Sequence, residues 1–311
     1  MNIQYSGLLN DPSAHTLIAE DLEAVFLPGH GMLGASLRHR GVEMLRRIED
    51  LDGAAAKGST AGIPLLHPWA NRLAGSRYHA AGREVDLDPS SPMLHLDAHG
   101  LPMHGVPWSL LAWKPTEARQ DFLAAKLDWT REDLLAVFPF RHRLEMSATL
   151  SADSLTIETI LVAGSDGDVP VSFGSHPYFG LADFPRPRWW LKLPAMRRLT
   201  LDDRGIPTGA EAPFDGFDAE LGKIAFDDGF ALMAEQASFS VAVAGRRITV
   251  DFLEGYTHAQ VYAPKDNDYI ALEPMTAPAS ALTSGRGLRL AKAGERFRAA
   301  FRICIEAYQN S

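Results

Sequence analysis

Hydrophobic and polar residues alternate with a period of two along much of this chain. The clearest runs are residues 155–160, 239–243, 248–252 and 301–305. A period of two places successive side chains on opposite faces of a strand, and Gly, Pro and Asp bound these runs. The pattern predicts strands of antiparallel sheets, each with one buried face.

Few windows of this sequence could hold a long helix. Its 20 prolines are spread through all 311 residues, and proline breaks helix interiors. Residues 40–51 and 280–290 are the two windows where we consider a helix, whereas residues 53–62 indicate a flexible loop. No linker-like stretch or internal repeat divides the chain. We therefore predict one all-β domain over residues 1–311, a large antiparallel β-sandwich.

Composition narrows the classes of function. The net charge of −9 counts against sequence-independent binding to nucleic acid or to an anionic membrane. No apolar run approaches the roughly 20 residues that span a bilayer, and the first residues lack the pattern of a signal peptide. We expect a cytoplasmic protein, a monomer or homodimer. The single cysteine, Cys304, excludes an intrachain disulfide and is predicted to be a small core residue.

A glycine-rich motif follows an apolar run near the start of the chain. Residues 29–34 match GxGxxG, and Glu49 and Asp50 follow about 20 positions later, as in a dinucleotide-binding fingerprint. However, Pro28 interrupts the junction, Gly41 falls inside the required helix, and no strand–helix alternation follows. We favour a glycine-rich hairpin between two strands and predict no cofactor.

The histidines do not form a convincing metal motif. His95, His99 and His104 have ligand-like spacing, but Pro102 breaks any helix there and no carboxylate-rich motif accompanies them. We predict no metal site. Other histidines in polar or turn-like surroundings receive no role: His15, His30, His39, His79 and His142.

Four segments carry residues suited to a carbohydrate site: 67–75, 103–108, 174–181 and 271–278. The first contains Trp69, Asn71 and Arg72, an aromatic face and a donor fork that suit a sugar. The others contain His104, His176 and Glu273. A His and a Glu at strand ends are the minimal set for proton transfer. The simpler interpretations are a core histidine bonded to backbone and a carboxylate paired with an arginine.

These segments, in this order, resemble the signature regions of the aldose 1-epimerase (galactose mutarotase) family. The resemblance runs from about Val25 to Tyr308. The matching elements are His176-Pro-Tyr-Phe to the HPYF motif, Asn71-Arg72-Leu73 to the NRI element, His104-Gly105 to the first histidine motif, Glu273-Pro-Met-Thr-Ala-Pro to the segment carrying the base, Phe226-Asp227 to the sugar-binding Asp element, and Ala259-Gln260-Val261-Tyr262 to the Gln–aromatic strand. The first histidine motif can also be placed at His99-Gly100 in a loose alignment. Gly180 and Asp228 depart from the Asn and His common at those positions, so the resemblance does not define the preferred sugar.

The resemblance implies a β-sandwich with a sugar cleft, the galactose mutarotase-like supersandwich, and an enzyme that interconverts the α and β anomers of a monosaccharide without a cofactor. Glu273 would act as base, His176 as imidazolium acid, and His104 would stabilise charge. The implied substrate-binding residues are Asn71, Arg72, Asp227, Gln260 and Tyr178. An ionised Glu and a protonated His predict a bell-shaped pH profile of kcat/KM.

Three alternatives stay open. A hexose-6-phosphate 1-epimerase would add an anion site, for which Arg77, Arg83, Arg141 and Arg143 are candidates. A non-catalytic carbohydrate-binding or sensing protein would keep the cleft alone. A glycoside-cleaving enzyme or polysaccharide lyase is a third, although glycosidases generally need two close carboxylates and only Glu273 stands out.

Overall fold

The computed structural model describes residues 11–46, 51–181 and 184–307. The first strands are β1 His15–Ala19, β2 Leu22–Leu27, β3 Leu33–His39, β4 Val42–Glu43, β5 Leu65–Leu66, β6 Arg77–Ala80, β7 Arg83–Asp86, β8 His95–Leu96 and β9 Pro102–Met103. The next are β10 Lys114–Arg119, β11 Phe122–Trp129, β12 His142–Leu150, β13 Ser154–Ala163, β14 Val169–Val171, β15 Gly174–Ser175, β16 Tyr178–Phe179, β17 Trp190–Leu193 and β18 Met196–Leu201. The last are β19 Pro207–Phe214, β20 Phe217–Glu220, β21 Phe226–Ala231, β22 Ala237–Val243, β23 Arg246–Glu254, β24 His258–Ala263, β25 Ile270–Met275, β26 Arg289–Ala291 and β27 Arg296–Ala307. The α-helices of this part of the chain are α1 Leu51–Ala56, α2 Glu132–Val137 and α3 Ala281–Ser284.

Two large antiparallel sheets dominate the described residues. One has nine strands in the order β10-β11-β12-β13-β27-β23-β22-β17-β20. The other follows β19-β18-β21-β24-β25-β15-β5, with β16 also paired to β25. The predicted period-two runs lie in β13, β22, β23 and β27, and β13 alternates buried and half-buried residues along most of its length. The prediction of antiparallel strands with one buried face is confirmed.

The two large sheets share one hydrophobic core. Phe301 of β27 contacts Tyr256, whose ring in turn contacts Phe173 just before β15. All three side chains are almost fully buried. Burial of large aromatic side chains between two layers is the main stabilising term of such a sandwich. This packing confirms the predicted all-β sandwich.

The helix predictions are only partly correct. In the window 40–51, β4 occupies Val42–Glu43, and the segment 47–50 lies outside the described residues. The window 280–290 contains the short α3 and then β26. Among the described helices, none has the length and apolar character that crossing a membrane requires.

The segment that we expected to be a flexible loop begins with helix α1. Leu51 is buried in a small apolar cluster with Trp108, which fixes the helix to the body. Gly58 ends it with a left-handed backbone (φ 66°). The N–H of Ser59 then donates to the carbonyl of Ala54 (2.9 Å), which is a Schellman ending. Tertiary packing of Leu51 therefore decided a conformation that local composition did not reveal.

Two further expectations are settled by strand pairing. Residues 29–34 connect β2 to β3, and Leu27 pairs with Leu33 across the hairpin, which confirms the glycine-rich turn. Cys304 is not a core residue: Phe301, Ile303 and Ile305 face the core, so alternation turns Cys304 to the other face, where Sγ lies 3.6 Å from an Asp251 oxygen.

A pair of buried histidines lies beneath the loop that follows β5. His142, to which we assigned no role, has Nδ1 2.6 Å from the Phe140 carbonyl and Nε2 2.9 Å from Nε2 of His67. Because a carbonyl only accepts, Nδ1 of His142 carries its proton and Nε2 accepts from His67. Burial lowers the pKa of His67 well below its ordinary value and that of His142 to about 4. Both rings are therefore neutral in the folded state.

These histidines make the fold sensitive to acid. Unfolding exposes them, so below about pH 6.5 the unfolded chain binds more protons than the folded one. We expect the free energy of unfolding to fall as the pH drops from about 6.5 to about 4, by up to about 1.4 kcal/mol per pH unit for each histidine. Urea titrations across this range measure it. His142→Gln should show a shallower slope, and a wild-type stability independent of pH would contradict the prediction.

Candidate active site

Three neighbouring strands align polar side chains on the face of the eight-stranded sheet that is turned away from the core. Gln260 of β24 lies directly opposite Glu273 of β25, and Gly229 of β21 lies opposite Gln260. Gln260 Nε2 donates to an Asp227 oxygen (2.7 Å). Since residues two apart share a face, Asp227, Gln260 and Glu273 form one row. The missing side chain at Gly229 leaves room for Gln260 to reach Asp227.

Asp228 has the opposite orientation. It pairs with Val261, a core residue of β24, so it points to the other face of the sheet. There its carboxylate lies 3.6 Å from Arg198, and burial raises its pKa. The departure from the family pattern at position 228 therefore lies outside the polar row.

His176 lies between β15 and β16, where its backbone N–H donates to the Pro64 carbonyl (3.1 Å). Its Nε2 is 3.2 Å from Oε1 of Glu273, and the two side chains are only 5% and 2% exposed. Within the described part of the chain, His176 Nδ1 and Glu273 Oε2 have no hydrogen-bond partner. Unpartnered buried polar atoms are rare, so these two atoms are where we expect a ligand to bind.

His104 joins the pair from the segment after β9. Its ring meets that of His176 edge-on, with centroids 5.4 Å apart. The N–H of Asn71 donates to His104 Nδ1 (3.2 Å), which leaves the proton of the neutral ring on Nε2. The turn is tight, because a side chain at Gly105 would come within 2.3 Å of the His67 carbonyl oxygen. This position therefore needs glycine.

Asn71 and Arg72 form a second arm of the site. The Asn71 side-chain oxygen accepts from the Arg72 backbone N–H (2.8 Å) and from its Nη1 (3.3 Å). Arg72 Nε donates to Asp97 Oδ2 (2.7 Å). Asp97 is itself fixed by the backbone N–H groups of His99 and Leu101. The side-chain oxygen of Asn71 therefore orients Arg72.

Tyr178 supports His176. The two rings are stacked with centroids 4.0 Å apart, and the Tyr178 hydroxyl is 2.6 Å from Thr60 Oγ1. Trp69, which we considered for sugar stacking, is fully buried and packs against Tyr78. It is therefore a core residue and presents no face to a ligand.

A cleft of about 550 Å³ opens beside this group. This volume falls in the usual range for small-molecule sites, about 300–1,000 Å³. It is lined by Arg46, Gly53, Ala54, Lys57, Gly58, Ser59, Thr60, His95, Met103, His104, Tyr178, Tyr262 and Tyr269. His95 thus joins His104 at the cleft, whereas His99 is exposed.

Sequence reasoning missed several contributors to the site. Tyr262 was named only as part of the Gln–aromatic strand; it lies two residues after Gln260, hence on the same face of β24, and lines the cleft. Asp97 had no signal in the sequence, since its contact with Arg72 joins segments 25 residues apart. Arg46 and Lys57 flank a segment, 47–56, that sequence assigned partly to a helix and partly to a loop.

None of the four arginines suggested for an anion site lines this cleft. Arg77 pairs with Asp86 on an exposed hairpin, and Arg143 pairs with Glu145 on the nine-stranded sheet. Arg83 donates to the Pro139 carbonyl, and Arg141 is exposed next to Arg143 at the start of β12. The suggestion that these four arginines form the anion site of the cleft is therefore wrong. They lie on or next to β6, β7 and the nine-stranded sheet, and none of these elements lines the cleft.

Burial controls the protonation of the central pair. It raises the pKa of Glu273 well above its ordinary value, and the Asp227 carboxylate raises it further, while Arg72 lowers it. Burial, with His104 as a second cause, lowers the pKa of His176 well below its ordinary value. Burial thus favours a neutral imidazole beside a protonated carboxyl. Sequence led us to expect imidazolium and carboxylate, a form with the same total number of protons.

Because His176 is buried, we expect its imidazole to remain neutral as the pH falls from about 8 to about 5. Ring ¹⁵N chemical shifts in a labelled sample report this directly. The spectrum of His176→Asn identifies the signal, and the urea-unfolded chain supplies the ordinary titration. A protonation midpoint close to 6.5 in the folded protein would show that burial does not control this group.

Comparisons with known proteins agree with this architecture. Residues 16–304 match the family described as aldose 1-epimerase. The uncharacterized protein YihR of Escherichia coli K12 is 25% identical over 262 residues, which is 78% of this chain and 80% of that protein. The crystal structure of the Slr1438 protein from Synechocystis sp. PCC 6803 has a TM-score of 0.79 at 24% identity, covering 99% of this chain and 100% of that one.

A putative aldose 1-epimerase from Escherichia coli K12 has the same fold, with a TM-score of 0.76 at 20% identity over 95% of this chain and 99% of the other. These similarities establish the galactose mutarotase-like fold. The family match covers nearly the whole length, including every residue of the polar row and both histidines. This chain therefore belongs to the aldose 1-epimerase family.

Proposed function

We propose that this protein is an aldose 1-epimerase, which interconverts the α and β anomers of an aldose through the open-chain aldehyde. The observation that carries the proposal is the buried contact between His176 Nε2 and Glu273 Oε1 (3.2 Å). Each residue keeps one further polar atom without a partner among the described residues. One acid and one base beside a cleft are what ring opening needs, and membership of the family supports the same reaction.

The reaction is a pair of proton transfers. Glu273 as carboxylate takes the proton from the anomeric O1 hydroxyl, and His176 as imidazolium gives a proton to the ring oxygen O5. The C1–O5 bond breaks, the C1–O1 bond becomes a carbonyl, and Glu273 and His176 are left neutral. Rotation about C1–C2 presents the other face of the aldehyde. Reverse transfers then close the ring as the other anomer.

The surrounding residues adjust this pair and hold the sugar. Arg72 favours the carboxylate form of Glu273, since its guanidinium lowers the pKa of that group. His104 is neutral, because burial and Arg72 lower its pKa to about 3, and it acts as a hydrogen-bond donor to developing charge on oxygen. We assign Arg72, Asp227 and Gln260 to sugar hydroxyls. Asn71 acts by orienting Arg72, and Tyr178 acts by stacking on His176 and bordering the cleft.

Substitution of the pair tests the proposal. We expect Glu273→Gln and His176→Asn each to lower kcat by about 10²- to 10⁴-fold, because positioned proton donors and acceptors contribute that much. Polarimetry of freshly dissolved α-D-glucose and α-D-galactose, in weak buffer, measures the rate above the spontaneous one.

The control is Glu211→Gln, which removes an exposed carboxylate on edge strand β19. It should keep wild-type turnover. Circular dichroism and thermal unfolding establish that each variant is folded. Near-normal turnover in either site variant would refute the catalytic roles. Saturable sugar binding by calorimetry, without acceleration by the wild type, would instead identify a non-catalytic sensor.

The pH profile should be a wide bell. In the active form, His176 and Glu273 together hold one transferable proton. Protonation of His176 at low pH adds a second proton, and ionisation of Glu273 at high pH removes the only one. Burial moves these limits outward, below the ordinary pKa of histidine and above that of glutamate. We therefore expect the acid limb of kcat/KM to lie below the ordinary pKa of histidine and the alkaline limb to lie above the ordinary pKa of glutamate.

Asp227→Asn supplies a directional check on this profile. Because the Asp227 charge raises the pKa of Glu273, its removal should move the alkaline limb of kcat/KM to lower pH. The position of the limb is independent of any loss of affinity in this variant. An alkaline limb that does not move, or moves upward, would show that Glu273 does not set it.

A further inference from the structure

The cleft beside the catalytic pair carries positive charge. Arg46 and Lys57 line it, and none of its described lining residues is an Asp or a Glu. The chain as a whole has a net charge of −9. A cationic cleft in an acidic protein attracts an anion selectively, since the local field differs in sign from that of the overall surface.

Arg46 is held in a defined position by aromatic rings. Its guanidinium carbon lies 4.0 Å from the ring centroid of Tyr269 and 5.8 Å from that of Tyr178. Contact with a π face orients a guanidinium without neutralising its charge. The five N–H donors of an arginine match the geometry of a carboxylate or a phosphate.

Among the residues that the structure describes, the two cations of the cleft have no acidic partner. Over residues 11–46, 51–181 and 184–307, neither Arg46 nor Lys57 makes an ion pair with a carboxylate, whereas Arg72 is bonded to Asp97 at 2.7 Å. Arg72 is thus partly neutralised and suited to a neutral hydroxyl. Arg46 keeps its full charge and is suited to an anion.

Arg46 lies near the catalytic pair. Tyr178 stacks on His176 with centroids 4.0 Å apart, and the Arg46 guanidinium carbon lies 5.8 Å from the same Tyr178 ring. Tyr178 therefore contacts both the proposed acid and the cation, which places the guanidinium within about 10 Å of the His176 ring. An aldose with its anomeric centre at His176 and Glu273 would place a substituent remote from C1 near Arg46.

We propose that the substrate is an anionic monosaccharide with a carboxylate or phosphate group remote from its anomeric carbon, and that Arg46, assisted by Lys57, binds this group. The inference rests on the proposed epimerase function, for which it names the substrate class. It keeps the anion-site alternative raised from the sequence but moves that site from the four surface arginines to the cleft.

The test compares three sugars: glucose, glucuronate and glucose 6-phosphate. Two-dimensional exchange NMR measures the rate of anomer interconversion for each. We expect the wild-type kcat/KM for at least one anion to exceed that for glucose by about tenfold or more, because hydrogen bonds to charged groups are worth that much. Glucuronate and glucose 6-phosphate separate a carboxylate site from a phosphate site.

Variants assign the effect to Arg46. Arg46→Met keeps an apolar chain against Tyr269 and should reduce kcat/KM for the favoured anion at least about tenfold more than it reduces that for glucose. Lys57→Gln should give a smaller selective loss. Arg77→Gln, on the exposed hairpin, should change none of the three values. Raising the ionic strength should weaken the preference for the anion.

The outcomes separate the two proposals. Equal turnover of all three sugars, or an equal loss for all three in Arg46→Met, overturns the anion site and leaves the epimerase function intact. If no sugar is interconverted, the epimerase function fails, and calorimetric binding of the same three sugars tests the site alone. Binding of an anion that is lost in Arg46→Met then supports the site, and its absence overturns it.

Discussion

Alternation along the central strands of the eight-stranded sheet constrains everything else in this protein. Val261 and Leu272 point to the core, so Gln260 and Glu273, one residue away, must point to the opposite face. A register shift of one residue would exchange these faces and place a carboxylate in the core. The same packing that stabilises the sandwich therefore fixes the direction of the proposed base.

The outer face of this sheet is covered, and that cover gives the site its chemistry. Glu273 and His176 are almost completely excluded from water although neither belongs to the hydrophobic core. Exclusion disfavours the charged form of each group. The neutral pair and the ion pair hold the same number of protons and differ only in where one proton lies, so the contact lets the two residues share it.

Two halves of the site differ in their electrostatics. Around Glu273, burial, the Asp227 carboxylate and the Arg72 guanidinium adjust the affinity of Glu273 for a proton. Around Arg46, aromatic rings position a cation that has no carboxylate partner within the described residues. A sugar lying between them would exchange protons with His176 and Glu273 at one end and contact the Arg46 guanidinium at the other. Reaction and selectivity can then vary independently, since they reside on different segments of the chain.

The sequence by itself determined the sheet class, because a period of two is imposed locally by strand geometry and burial. It also predicted His176, Glu273 and His104 through motifs that are contiguous in the chain, and the structure brings these three side chains together. Tertiary structure alone decided that α1 forms on the anchor of Leu51, that Asp97 orients Arg72, and that Arg46 rather than Arg77 borders the cleft. These contacts join segments distant in sequence or depend on burial by other elements, and no local pattern encodes them.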